Sequence, residues 1–271
     1  RQHRDVSHLF ALDDTGDAAP VTVRHFQETA RRMLGGQDII IGTQRGTPTG
    51  GSRKRMHDTL HAAWQALQPS SPVQRTLDAV RAVCAASLQR FGPEGRIDLV
   101  GDFAARGVYA FIEQVLGVPG PAHLTEMALS LPFGKFHVGE VHADWLSAMK
   151  RPAIEHRGMT SLQIWSTLLL SDLIGNVNDT ALLKGLSQKA ASEMLLHLDL
   201  LLARAAKAPT PNPRTLLDAL LTVMPQRLQH YPGGPQGDRA RSAYLGDVRA
   251  IMLELVGTSM ATVPHAFGHV M

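Results

Sequence analysis

The sequence predicts a mainly α-helical protein with a small β element near its N-terminal end. Ala and Leu abound, and both favour helices. Aromatic residues, which favour strands, make up only 5% of the 271 residues. From residue 53 onward, apolar residues recur at three- and four-residue spacing rather than in alternation. Strand signals are confined to two short stretches, VTV at 21–23 and DIIIG at 38–42, the second a strand or a buried turn.

Residues 1–20 are polar, with DDTGD as turn chemistry. HFQETARRML (25–34) places Phe26, Ala30, Met33 and Leu34 at helical spacing, and Gly35 and Gly36 close it. TQRGTPTGGS (43–52) is loop by composition. RKRMHDTLHAAWQAL then carries Met56, Leu60, Ala63, Trp64 and Leu67 on one face, until Pro69 and Pro72 stop it. VQRTLDAVRAVCAASLQRF (73–91) has an apolar stripe at 73, 77, 80, 84 and 88, so Cys84 reads as a small buried apolar residue. DLVGDFAARGVYAFIEQVLGVPGP (98–121) is a further helix, with Asp98 or Asp102 as N-cap and GVPGP as its stop.

PAHLTEMALSL opens another helix, whereas 132–160 scatter His137, His142 and His156 among Gly and Pro. LQIWSTLLLSDLIGNV and ALLKGLSQKAASEMLLHLDLLLARAAK are two helices parted near NVND. APTPNP (208–213) links to the short helix TLLDALLTVM, and LQHYPGGPQGDR (228–239) is a polar loop. The final helix runs from about Tyr244 to the end. No internal repeat or second composition interrupts the chain, so 1–271 reads as one domain.

Hydrophobic content of 44% and charged content of 19% are those of a globular chain with a sizeable core. A net charge of +3 with scattered Arg gives no basic stripe for nucleic acid. Cys84 is the single cysteine, which excludes an internal disulfide and suits a reducing, cytoplasmic setting. No apolar run reaches the ~20 residues a membrane span needs. TLLLSDLI (167–174) is too short and contains Asp172, and RQHRDVSHLF lacks a signal-peptide core. An opening Arg in place of Met reads as a natural start lying upstream.

Thirteen histidines invite a search for metal ligands. His57 and His61 share a helical face, but HDTLH lacks the Glu of the metalloprotease helix, and no third ligand follows at suitable spacing. HVGEVH (137–142) lies in a Gly-containing segment, and exposed histidines on a helix and a loop are the far commoner origin of both patterns. GTPTGGSRK (46–54) departs from the phosphate-loop order, and no GxSxG elbow exists. What remains is the final helix, ELVGTSMATVPHAF (254–267). Gly257 weakens it, Thr258 and Ser259 are able to bond back to carbonyls one turn earlier, and Pro264 frees the carbonyl of Met260. A ligand groove and a plain kinked core helix both account for that pattern.

Five segments in order resemble the bacterial cytochrome P-450 superfamily, covering most of 20–271. VTVRHFQETARRML resembles its opening strand and helix, and RMHDTLHAAWQAL its haem-facing helix. LQRFGPEGRIDLVGDFAARGVYAFIEQVLGVPGP is similar to its DLVxDFA…IxxLLGVP passage, and LLARAAKAPTPNPRTLLDALLTVM to RRxxPxDDLLSALL. DVRAIMLELVGTSMATVPHAF falls where the family carries its long oxygen-binding helix. The resemblance implies a P-450-like helical fold that is incomplete at the C-terminus, since the family's ExxR helix and cysteine loop lie beyond this helix. Cys84 stands in the wrong segment to replace that cysteine, so the haem-iron ligand is absent from this sequence.

Carried over by position, His57 and His61 occupy the places of the His and Arg that contact haem propionates. Gly257, Thr258 and Ser259 fall in the oxygen groove, where the family pattern is (A/G)Gx(D/E)T(T/S). Ser259 replaces the acid and Met260 the alcohol, which removes the usual proton relay. The implied activity is therefore haem-thiolate oxidation of a small apolar organic substrate, by monooxygenation or by peroxide or hydroperoxide chemistry. Leu- and Met-rich stretches at 124–133 and 162–174 are candidate pocket walls. The implied partners are a redox protein or a C-terminal complementing portion. The alternative is a haem-free, P-450-like auxiliary protein that stabilises an enzyme partner.

Overall fold

The computed structural model describes residues 28–36, 39, 52–91, 99–121, 157–176, 180–207, 210–234 and 237–270. Residues 28–33 form α1. The long helices are α2 (Ser52–Leu67), α3 (Pro72–Phe91), α5 (Arg157–Leu170), α6 (Ala181–Lys207), α7 (Leu216–Arg227) and α8 (Asp238–Val270). Between α3 and α5 lies a short α4 (Ala105–Phe111), flanked by π-helical Leu99–Ala104 and Ile112–Leu116. The described residues are mainly helical and include no strand. The expected strand at 21–23 lies outside them, as do residues 122–131 of the expected helix and the histidines of 132–156, while Ile39 is buried outside any strand.

α8 is the axis of the fold. It packs most broadly on α5 and also touches α2, α4, α6 and α7. Tyr244, Val248, Ala250, Ile251, Met252 and Val256 are all fully buried, so this 33-residue helix is enclosed on several sides. The helix begins six residues earlier than its apolar pattern indicates. Its first turn, DRARSA, buries only Ala240, and Asp238 favours the start through the helix dipole rather than through hydrophobic spacing. Among the described residues, no helix is long and apolar enough to cross a membrane.

Two polar clusters lock elements that sequence spacing does not relate. Arg55 on α2 donates to both carboxylate oxygens of Asp247 on α8, from Nε at 2.8 Å and from an η nitrogen at 3.3 Å. Tyr231 donates to the same carboxylate at 2.8 Å, and the Arg55 guanidinium stacks over the Tyr231 ring. Burial pushes the Tyr231 and Tyr244 phenols far above their ordinary range, so both remain neutral donors. The second cluster centres on Asp172, in the π turn Ser171–Gly175 that follows α5. Its carboxylate accepts from Arg32 of α1 at 2.5 Å, from Asn176 at 2.7 Å and from Ser187 of α6.

α3 corrects the sequence reading. Val73, Leu77 and Leu88 of the expected core stripe are exposed, and Cys84 is only half-buried. The more buried side instead includes Pro72, Ala79 and Ser87, and a Cβ at Gly107 of α4 would stand 4.0 Å from the Val80 side chain. Asp102 lies within π-helical Leu99–Ala104, and so it is not an N-cap.

Gly117 ends the π turn with φ +81°, and a Cβ there would stand 2.5 Å from Thr215 Oγ1 and 2.7 Å from Thr215 Cβ. Thr215 in turn caps α7 by accepting from Asp218 N at 3.1 Å, with Asp218 bonding back to its amide. Gly117→Ala is expected to cost about 2–3 kcal/mol, from left-handed strain plus a displaced cap. Thermal unfolding checks this. In a Thr215→Ala background the same change is expected to cost less, because the blocking side chain is gone.

Candidate functional site

The apolar faces of α1, α5 and α8 meet around a cavity of about 210 Å³. α1 contributes Ala30 and Met33, the face that its spacing predicts. Ser166, Leu169 and Leu173 line it from α5 and the π turn, at intervals that keep them on one helical side. α8 completes the wall with Leu253, Gly257, Thr258 and Thr262, again one side of one helix. The Arg32–Asp172 cluster bridges the first two walls, since its members lie next to Met33 and Leu173.

Gly257 is buried, yet a Cβ built on it would meet nothing within 4 Å. Close helix packing therefore does not require glycine here. Its lack of a side chain leaves space in the cavity. Thr258 bonds back as its sequence context predicts, donating to Glu254 O at 2.6 Å, and Thr262 donates to Thr258 O at 2.6 Å. α8 stays one continuous α-helix through Gly257 and Pro264. Ser259 is not in the cavity wall, and Met260, 3% exposed, is part of the hydrophobic core. The three residues of the expected oxygen groove thus divide, with Gly257 and Thr258 on the cavity and Ser259 beside it.

His57 and His61 both lie on the exposed side of α2, and the His61 ring pairs with Gln65 at 3.0 Å. Neither belongs to the cavity wall. The opposite side of α2 packs Met56 and Leu60 with Ala250, Ile251 and Leu255, so the histidines ride on a helix seated against α8 just before Gly257. The Arg55–Asp247 pair fixes that seat. Among the described residues, no group of three or more His, Cys, Asp or Glu is placed to hold a metal ion. Cys84 is on α3, which contributes nothing to the cavity.

Of the expected pocket walls, 162–174 does line the cavity, and 124–133 lies outside the described residues. Sequence reasoning missed the contribution of α1. Its apolar face was legible, but nothing local relates it to residues more than two hundred positions away. No protein-family model, curated protein or solved structure matches this chain.

Proposed function

We propose that this chain supplies the substrate pocket and distal oxygen face of a cytochrome P-450-like haem-thiolate oxidoreductase acting on a small apolar organic molecule. One observation carries the reading: Gly257 and Thr258, singled out by the resemblance, border an apolar cavity whose open space a Cβ at Gly257 would enter. That gap suits the close approach of a flat cofactor or its substrate to the α8 backbone. Haem, when bound, supplies the oxidising chemistry. His57 and His61 are the candidate partners for its propionates, exposed on the helix seated against α8. The thiolate ligand has to come from a C-terminal complementing portion, because Cys84 stands apart from the cavity.

The cavity walls orient the substrate, with Leu169, Leu173 and Leu253 as apolar surface. Proton delivery is poorly provided for. Met260 has no exchangeable proton, and the Thr258 hydroxyl is engaged with Glu254 O. This favours peroxide or hydroperoxide chemistry over reaction with a redox partner and dioxygen.

The second reading is a haem-free auxiliary protein. The exposed Val73, Leu77 and Leu88 of α3 favour it, since they offer an apolar strip to a partner enzyme. The deciding measurement is the absorption spectrum of the protein expressed from its entire gene, reduced and under carbon monoxide. A Soret band at the position of thiolate-ligated haem is expected. Failure to retain haem after supplementation overturns the first reading in favour of the second.

A further inference from the structure

Three hydroxyl-bearing residues belong to the cavity wall, Ser166, Thr258 and Thr262, although the surface that the wall presents to the cavity is apolar. Serines and threonines within helices commonly return their proton to the carbonyl four residues earlier. Thr76, Ser192 and Thr222 all do so in this protein, at 2.9 Å in each case. Thr258 and Thr262 do the same, which removes both donors from the cavity. Ser166 does not. It is fully buried, and its Oγ has no hydrogen-bond partner. Buried hydroxyls without partners are rare because their desolvation goes uncompensated, and each calls for an explanation.

We propose that Ser166 is a specificity-determining residue of this cavity, donating a hydrogen bond to a single acceptor oxygen on an otherwise apolar ligand. The proposal rests on the reading of the cavity as a ligand pocket. The Ser166 Oγ lies beneath the apolar cavity surface, so donation to a ligand requires the side chain to turn from its present rotamer into another of its three staggered ones. Water is a poor alternative occupant, because it needs two to four polar partners and the other hydroxyls of the wall are engaged. The volume sets the scale of the ligand. A cavity of ~150 Å³ accommodates benzene, so about 210 Å³ admits a ring with a few further carbons. The ligand class is then a compact ketone, ester or ether rather than a pure hydrocarbon.

The test compares propiophenone with propylbenzene, which share a carbon skeleton and differ in one carbonyl. Dissociation constants are measured for the whole chain, wild type and Ser166→Ala, by ligand-observed NMR. The carbonyl stretch of bound propiophenone is recorded in parallel. The expected result is that Ser166→Ala weakens propiophenone binding about five- to tenfold, corresponding to roughly 1–1.4 kcal/mol. Propylbenzene binding is expected to be unchanged. The carbonyl stretch is expected at lower frequency in the wild type than in the variant, a signature that a merely structural serine does not produce. If both probes bind but the variant alters neither affinity nor stretch, the pocket stands and the role of Ser166 is overturned. If neither probe binds the wild type, the ligand-pocket reading itself fails and takes this proposal with it.

Discussion

Asp172→Ala is expected to lower stability by about 3 kcal/mol. The Asp172 side chain is 1% exposed, and it is held by Arg32, Asn176 and Ser187 from three different segments. Truncation removes the acceptor of Asn176 Nδ2, while Ser187 and Arg32 each keep the Lys184 carbonyl, at 3.0 and 3.3 Å. Arg32 is itself 29% exposed, so water recovers part of its charge, which places the loss at the lower end of the range for broken buried pairs. Asp172→Asn keeps an acceptor and is expected to lose roughly half as much. Urea unfolding midpoints of the two variants check both values.

The same residue carries a pH signature. Burial alone would raise the Asp172 pKa, but hydrogen bonds from Ser187, Arg32 and Asn176 outweigh it and leave the carboxyl below its ordinary value. A carboxyl depressed in the folded state stabilises the protein above its unfolded pKa of about 4, and this contribution is lost as pH falls through the folded value. In Asp172→Asn that part of the acid dependence is expected to vanish. Because the cluster joins two walls of the cavity, Asp172→Ala is also expected to weaken propiophenone binding. An unchanged acid profile in Asp172→Asn would show that the cluster is not the carrier.

Gly257→Leu is expected to separate stability from function. Glycine inside a helix costs about 0.5–1 kcal/mol relative to a good helix former. With nothing within 4 Å of its Cβ position, the substitution meets no neighbour at the first carbon. A leucine side chain leans toward the preceding turn, and here that turn carries Leu253 and Glu254 of the cavity wall. The expected outcome is a melting temperature equal to or above that of the wild type, with propylbenzene and propiophenone binding weakened more than tenfold. Undiminished binding of both probes would place the ligand space elsewhere. A large drop in melting temperature would mean that Gly257 is needed for packing after all.

How far these features were legible depends on whether their cause is local. The helices announced themselves where apolar spacing was regular, as in α2, α5 and α6. α3 shows where that signal misleads. Its larger residues Val73, Leu77 and Leu88 form a regular stripe, but the buried side carries Ala79 and Ser87, because which face of the helix is covered is set by its neighbours and not by its own spacing. The start of α8 was missed for the opposite reason, since DRARSA has no apolar period to read. Thr258 bonding back to Glu254 was legible, because donor and acceptor are four residues apart on one helix. The isolation of Ser166 was not, because it depends on which hydroxyls are engaged across a wall built from three helices.

By itself, the sequence determined that the chain is mainly helical, where its main helices lie, and that Gly257 and Thr258 mark an unusual turn of the last one. These follow from backbone propensity and spacing, which act over a few residues. Only the tertiary structure decided that Gly257 faces open space rather than a packed neighbour, that Ser259 and Met260 fall outside that space, and that α1 forms one of its walls. It also decided that the His57 and His61 side of α2 stays exposed while Met56 and Leu60 are buried. Such outcomes depend on which helical faces meet across long sequence separations. That pairing is set by close packing and by buried ion pairs such as Arg32–Asp172 and Arg55–Asp247, whose members lie 140 and 192 residues apart.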